Sequence, residues 1–262
     1  LTSINEIPAG ADPAYLSVDK SGELLMSAYY RAGKIRVHSI TDKGAIGKEL
    51  QSITTDERAH AIVPDRSGRY WFVPHTRPNA IFQFVLSAGA GALVKNKQPK
   101  LLRNPNTGPR HLWFHPSLDF AYSSDEQGCS VSTYALDNAS GTLSLQQTLA
   151  TLPQTEAHAD TNSTSDIEVH PSGHFVYVAN RGHDSIARYA VNLHNGLLKR
   201  LGNTPSVQTT RSFNINPSGQ FLIAAGQTSG NLAVFQINQQ SGDLKRLHTL
   251  PVGKAPWWVT IR

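Results

Sequence analysis

Cys129 is the one cysteine in 262 residues, which excludes an internal disulfide framework and any multi-thiolate metal site. It is expected to be a small packed residue rather than a reactive one. No apolar run approaches the ~18 residues of a membrane span, and no signal peptide opens the chain. A cytoplasmic protein is the expectation. Charged residues are only 16% of the chain, and the net charge of +5 is spread without a Lys/Arg tract. That argues against a dedicated nucleic-acid surface and suits small anionic ligands. There is no G-x-S-x-G, P-loop or dinucleotide fingerprint, so serine-hydrolase, NTPase and Rossmann readings have no support. Sustained 3.6-residue periodicity is missing as well, which excludes a helical solenoid.

What is present points to strands. Ser, Thr, Asn, Gln and Gly abound, 39% of residues are hydrophobic, and the pattern favours an all-β chain with many polar turns. Five segments repeat one plan: apolar strand, a turn ending in Ser-Gly or its equivalent, apolar strand. They are "AYLSVDKSGELLMSAY", "AHAIVPDRSGRYWFVP", "RHLWFHPSLDFAYSSD", "SDIEVHPSGHFVYVAN" and "RSFNINPSGQFLIAAG". Their serines, Ser21, Ser67, Ser117, Ser172 and Ser218, step by 46, 50, 55 and 46 residues. A third alternating strand follows each pair ("KIRVHSI", "AIFQFVL", "SVSTYAL", "SIARYAV", "NLAVFQI"), then a turn and a fourth strand. Four short antiparallel strands per period predict a β-propeller blade. Residues 1–262 are expected to form one propeller domain with five blade repeats. "LTSINEI" is expected as an outermost strand and "PWWVTI" as an innermost one. Together these make half a blade, so the chain is expected to be a fragment lacking the N-terminal part of its ring.

Strand direction sorts the polar residues. If strands A to D of a blade run alternately outward from the axis, the start of A, the end of B and the B–C loop share one face. That face collects His60, Arg110, His111, Asp166 and Arg211 from A strands. The B ends and B–C loops add Tyr30, Arg31, His75, Arg77, Asp125, Glu126, Asn180, Arg181, His183 and Gln227. Anion clamps beside acid/base groups suit a reaction on a carboxylated or phosphorylated substrate. His111, Arg211, His75 and Gln227 are therefore expected to bind substrate. His115 and His170 fall in the turns of the opposite face. His111 and His115 mimic an i, i+4 chelate, but on a strand they stand about 13 Å apart and cannot grip one metal. "HAD" (158–160) and "RGHD" (181–184) match no strong metal template, so neither metal nor cofactor is expected. "NAS" at 138 and "NST" at 162 fit the glycosylation triplet.

Four stretches resemble the seven-bladed propeller lactonase family, which includes bacterial propeller-type 6-phosphogluconolactonases and fungal carboxy-cis,cis-muconate cyclases. They are "GPRHLWFHP…AYSSDE" (108–126), "DIEVHPSGHFVYVANRGHDSI" (166–186), "RSFNINPSGQFLIAAGQTSGNLAVFQIN…SGDL" (211–244) and "GKAPWWVTI" (253–261). The resemblance implies a histidine, two arginines and a glutamate as the active-site set, here His60, Arg110, Arg181 and Glu126. It also implies a metal-independent lactonase for a small anionic sugar lactone, with 6-phosphogluconolactone the best guess. A carboxymuconate-type cyclase and a non-catalytic binding platform stay open. No nucleic acid or membrane partner is implied.

Overall fold

In a computed structural model, residues 2–87, 91–153 and 161–261 are described. Twenty strands form five four-stranded antiparallel sheets, and no α-helix occurs among the described residues. The first sheet comprises β1 (Pro13–Val18), β2 (Leu24–Tyr29), β3 (Lys34–Ile40) and β4 (Ile46–Thr54); the second, β5 (Val63–Pro64), β6 (Tyr70–His75), β7 (Ala80–Ser87) and β8 (Ala92–Leu102). The third holds β9 (Pro109–Phe114), β10 (Phe120–Asp125), β11 (Ser130–Asp137) and β12 (Thr142–Ala150). The fourth holds β13 (Ser163–Val169), β14 (Phe175–Arg181), β15 (Ser185–Val191) and β16 (Leu198–Pro205). The fifth holds β17 (Thr210–Ile215), β18 (Phe221–Gly226), β19 (Asn231–Ile237) and β20 (Leu244–Pro251). Each sheet is a meander in chain order, as the repeat predicts for propeller blades.

The chain divides into two compact units. One takes Leu1–Leu112 with Asp137–Leu143, the other Trp113–Leu136 with Ser144–Arg262. In the first, Met26, Ile35, Trp71, Phe84 and their neighbours from sheets one and two form one core. In the second, Tyr122 and Val131 pack with Ile167, Val176 and Tyr189, while Tyr177 and Ile186 pack with Phe213 and Phe235. Each such large side chain contributes about 2 kcal/mol through its buried area. Cores lying between sheets cover both faces of β14: Val176 and Val178 pack towards sheet three, Tyr177 and Ala179 towards sheet five. β6 is buried along its whole length, as are all but one residue of β10 and β14. Strict alternation of buried and exposed residues is lost there, while the outermost β20 is almost wholly exposed.

Two devices tie successive sheets at the Ser-Gly turns and inner edges. In sheets three and four, His115 and His170 precede the turn. Their Nδ1 atoms accept turn amides (Leu118 N at 2.9 Å; Ser172 N at 3.2 Å). Each Nε2 then donates to a turn carbonyl of the next sheet, Gly173 O at 2.9 Å and Gly219 O at 2.8 Å. At the inner edge, Asp166 and Glu168 of β13 accept the amides of Phe213 (3.1 Å) and Ile215 (2.9 Å) in β17. Ser212 and Asn214 repeat this one period on, accepting the amides of Val259 (2.9 Å) and Ile261 (2.7 Å). Side chains thus satisfy edge amides that no strand pairs. "PWWVTI" lies along β17 through these bonds but forms no ladder, and Thr2–Ile7 forms no strand. Asn5 instead exchanges two hydrogen bonds with Ile46 at the start of β4.

Candidate functional site

The loops leading into the inner strands of sheets one, two, three and five, and into the terminal segment, share a left-handed residue. The position is Gly10 (φ 66°), Arg58 (φ 58°), Gly108 (φ 65°), Thr209 (φ 55°) and Ala255 (φ 50°). A one-residue register shift follows between Pro13 and Tyr15, between Thr164 and Ile167, and between Thr210 and Ser212. Such bulges turn a side chain out of the ladder, and Arg211 is the residue they release in β17.

In the first unit these loops deliver His60, Arg110 and His111. His60 is anchored by its amide to Pro74 O at 3.0 Å. The loop ahead of Arg110 is held by Gly108 N donating to Asn79 Oδ1 at 2.8 Å. Arg110 Nη1 lies 3.1 Å from His111 Nε2; guanidinium only donates, so His111 is neutral with its proton on Nδ1. The rings form an edge-to-face ladder. Tyr30–His60 centroids lie 5.4 Å apart, His60–His111 5.1 Å and Tyr15–His111 5.3 Å. Exposure is 7% at His60, 2% at Arg110 and 3% at His111. Charge developing on a bound oxygen here would meet a cation in a largely dry setting, where it acts strongly.

The second unit presents a carboxylate–guanidinium pair. Glu126 Oε1 lies 3.3 Å from Arg181 Nη2, with side chains 20% and 15% exposed. Arg181 Nη2 also donates to Thr164 O at 3.1 Å, and Thr164 N donates to Glu126 O at 3.3 Å. Behind Glu126, fully buried Asp125 accepts Ser123 Oγ (2.6 Å), Ser130 Oγ (2.9 Å) and Ser132 Oγ (2.5 Å), fixing the strand end. The turn after Arg181 requires glycine: Gly182 has φ 107°, and a Cβ there would meet Thr161 O at 2.4 Å. Arg211 forms a further group, its guanidinium 3.6 Å over the Trp257 ring and 3.3 Å from Gln227 Oε1.

Other expected residues have structural partners. His75 is fully buried against Phe82 with Nδ1 2.8 Å from Glu57 O, so no exposed atom remains for the substrate contact expected of it. Burial lowers its pKa to about 4. Arg77 pairs with Glu57 at 3.7 Å in solvent. Asn180 is fully buried and donates to Ser185 Oγ, and His183 Nδ1 lies 2.6 Å from Ser185 Oγ. In "RGHD", Asp184 accepts Thr209 N at 2.7 Å. "HAD" lies outside the described residues, and among those described no three His, Cys, Asp or Glu gather as metal ligands. Asn162 is buried, its amide bonded to Asn180 Oδ1, so it offers no glycan acceptor. Burial raises the Cys129 thiol pKa, as suits a packed residue. Trp257, Tyr15 and Thr164 were absent from the sequence-derived set. The "PWW" quoted for the terminal strand was the one available signal for Trp257.

The seven-bladed β-propeller lactonase family model matches residues 1–261. The chain belongs to that family. Among curated lactonase relatives, a 6-phosphogluconolactonase of Pectobacterium carotovorum is 34% identical over 206 residues, 79% of this chain and 61% of the relative. The chain therefore aligns with less than two thirds of that protein's length. A 6-phosphogluconolactonase of Yersinia pseudotuberculosis is 30% identical over all 262 residues, covering 78% of its own length. Among solved lactonases, the periplasmic gluconolactonase of Pseudomonas aeruginosa superposes with a TM-score of 0.85 at 26% identity, over 94% of this chain and 72% of the other. No helix of the described residues is long and apolar enough to cross a membrane.

Proposed function

We propose that this chain hydrolyses a sugar-derived lactone without a metal, with 6-phosphogluconolactone to 6-phosphogluconate the leading substrate. The observation that carries the reading is the Glu126–Arg181 pair at 3.3 Å, partly open to solvent, in a chain of a lactonase family. A carboxylate accepts hydrogen bonds, so Glu126 takes a proton from the attacking water while Arg181 holds its orientation. The water oxygen bonds to the lactone carbonyl carbon, and Arg110 stabilises the charge left on the carbonyl oxygen. The ring C–O bond then breaks, and His60 delivers a proton to the leaving alkoxide. His111, held neutral by Arg110, and Arg211 with Gln227 are assigned to substrate contacts. A cytoplasmic setting completes the proposal, supported by the single packed thiol, and cell fractionation checks it.

The deciding experiment is Glu126→Gln, which keeps the side chain's shape and one acceptor for Arg181. Turnover of 6-phosphogluconolactone should fall about 10²- to 10⁴-fold with the melting temperature unchanged. Near-wild-type hydrolysis would falsify the assignment. Assaying the wild type on carboxymuconate in parallel separates hydrolase from cyclase, and inactivity on both leaves the binding-platform reading.

A further inference from the structure

The left-handed position before the inner strands of sheets one, two, three and five belongs to the fold rather than to any one site. Its carbonyl accepts the amide that follows the second strand, Thr76 N to Arg58 O at 3.3 Å and Gln227 N to Thr209 O at 3.0 Å. Glycine fills it at 10 and 108, where the conformation carries no Cβ penalty. Arg58 occupies it two residues before His60, an arginine where two other repeats use the residue the backbone favours and where Thr209 and Ala255 stand further along the chain.

Among the described residues the Arg58 side chain has one structural contact, with an aromatic ring. Its guanidinium lies 5.8 Å over the Tyr30 ring and makes no hydrogen bond or ion pair with any described residue. Nearby cations differ. Arg110 is buried on His111, Arg77 is paired with Glu57, and Arg31 stands exposed in solvent. Arg58 is half-buried and its loop is pinned by its own amide to Tyr30 O at 3.0 Å. Tyr30 in turn edges the His60 ring, and the ladder continues through His111 to Arg110. One end of this ladder is a buried cation and the other a half-exposed cation with open N–H donors.

We infer that Arg58 is a specificity-determining residue that receives the oxyanionic arm of the substrate, a phosphate monoester, at the outer end of the Tyr30–His60–His111 ladder. The inference rests on the lactonase reading for its substrate. A planar guanidinium backed by an aromatic face presents its donor fork to two oxygens of one phosphate at once. Arg110, enclosed beside His111, is left for the reacting carbonyl.

Arg58→Gly tests this without endangering the fold, because it restores the residue that positions 10 and 108 carry; its melting temperature should equal or exceed that of wild type. Hydrolysis of phosphorylated and unphosphorylated gluconolactone is compared in wild type, Arg58→Gly and Arg58→Lys. The ratio of kcat/KM for the phosphorylated over the unphosphorylated lactone should fall about 10- to 100-fold in Arg58→Gly, the loss of one charge-assisted contact. Arg58→Lys should lie between. An unchanged ratio overturns the inference. Calorimetric titration with 6-phosphogluconate and gluconate gives an arm independent of turnover. Weaker binding of 6-phosphogluconate but not gluconate by Arg58→Gly supports the inference even if neither lactone is hydrolysed, in which case the hydrolase reading alone fails. Equal or absent 6-phosphogluconate binding in both proteins overturns it.

Discussion

His60 and His75 lie fifteen residues apart at the two ends of one hairpin, and burial separates their roles. His75 has no exposed surface, and its pKa sits at about 4 because desolvation disfavours the imidazolium. The folded chain then binds this proton less readily than the unfolded one, whose histidine titrates near 6.5. The stabilisation is full above about pH 6.5 and is lost as pH falls towards 4, about 3 kcal/mol in all. Urea midpoints between pH 7 and 4.5 should show this loss in wild type, with a shallower slope in His75→Phe. A parallel slope in the variant would place the pH dependence elsewhere. The strand-direction rule put both histidines on the same rim, since direction is legible in the repeat. Depth is not, because it depends on what packs over the loop, here Phe82 and the Glu57 carbonyl.

Within elements, the repeat made the Ser-Gly turns legible but not their reach. Gly173 needs glycine for two reasons: φ is +77°, and a Cβ would stand 2.5 Å from His115 Cε1. Gly219 has φ +73° and meets His170 at the same distance. Gly173→Ala is expected to destabilise the protein by about 2 kcal/mol or more, from left-handed strain plus displacement of a buried ring. Chemical denaturation measures it, and a loss under ~0.5 kcal/mol would mean that the ring yields freely. The turn role expected for His115 and His170 holds; their bonds to the next sheet were hidden, since one repeat read alone shows no neighbour. The second strands carried the other surprise. "FVYVANR" is buried on both faces because cores shared with sheets three and five lie on either side, and a single strand's pattern shows that only as missing alternation.

For the molecule as a whole, a net charge of +5 bears on association with charged ligands rather than on the fold. If the substrate is a phosphorylated lactone, kcat/KM should fall as salt is raised from about 0.01 to 0.5 M, where the Debye length shrinks below ~5 Å. The unphosphorylated lactone should respond little. Equal salt responses would remove any steering role for the charge.

By itself the sequence determined the strand order, the four-stranded period, the family, and the residue types that gather at the loops before each inner strand. These follow from local periodicity and turn chemistry, which any short window contains. Only tertiary structure decided which of those residues are occupied and which are open. It gave Glu126 to Arg181, buried His75, committed Asn162 and Asn180 to each other, and set the half-buried Arg58 guanidinium over the Tyr30 ring. The reason is physical: pairing and burial depend on side chains brought together from about 15 to 55 residues away by sheet packing, and no local pattern encodes what a residue will face across that distance.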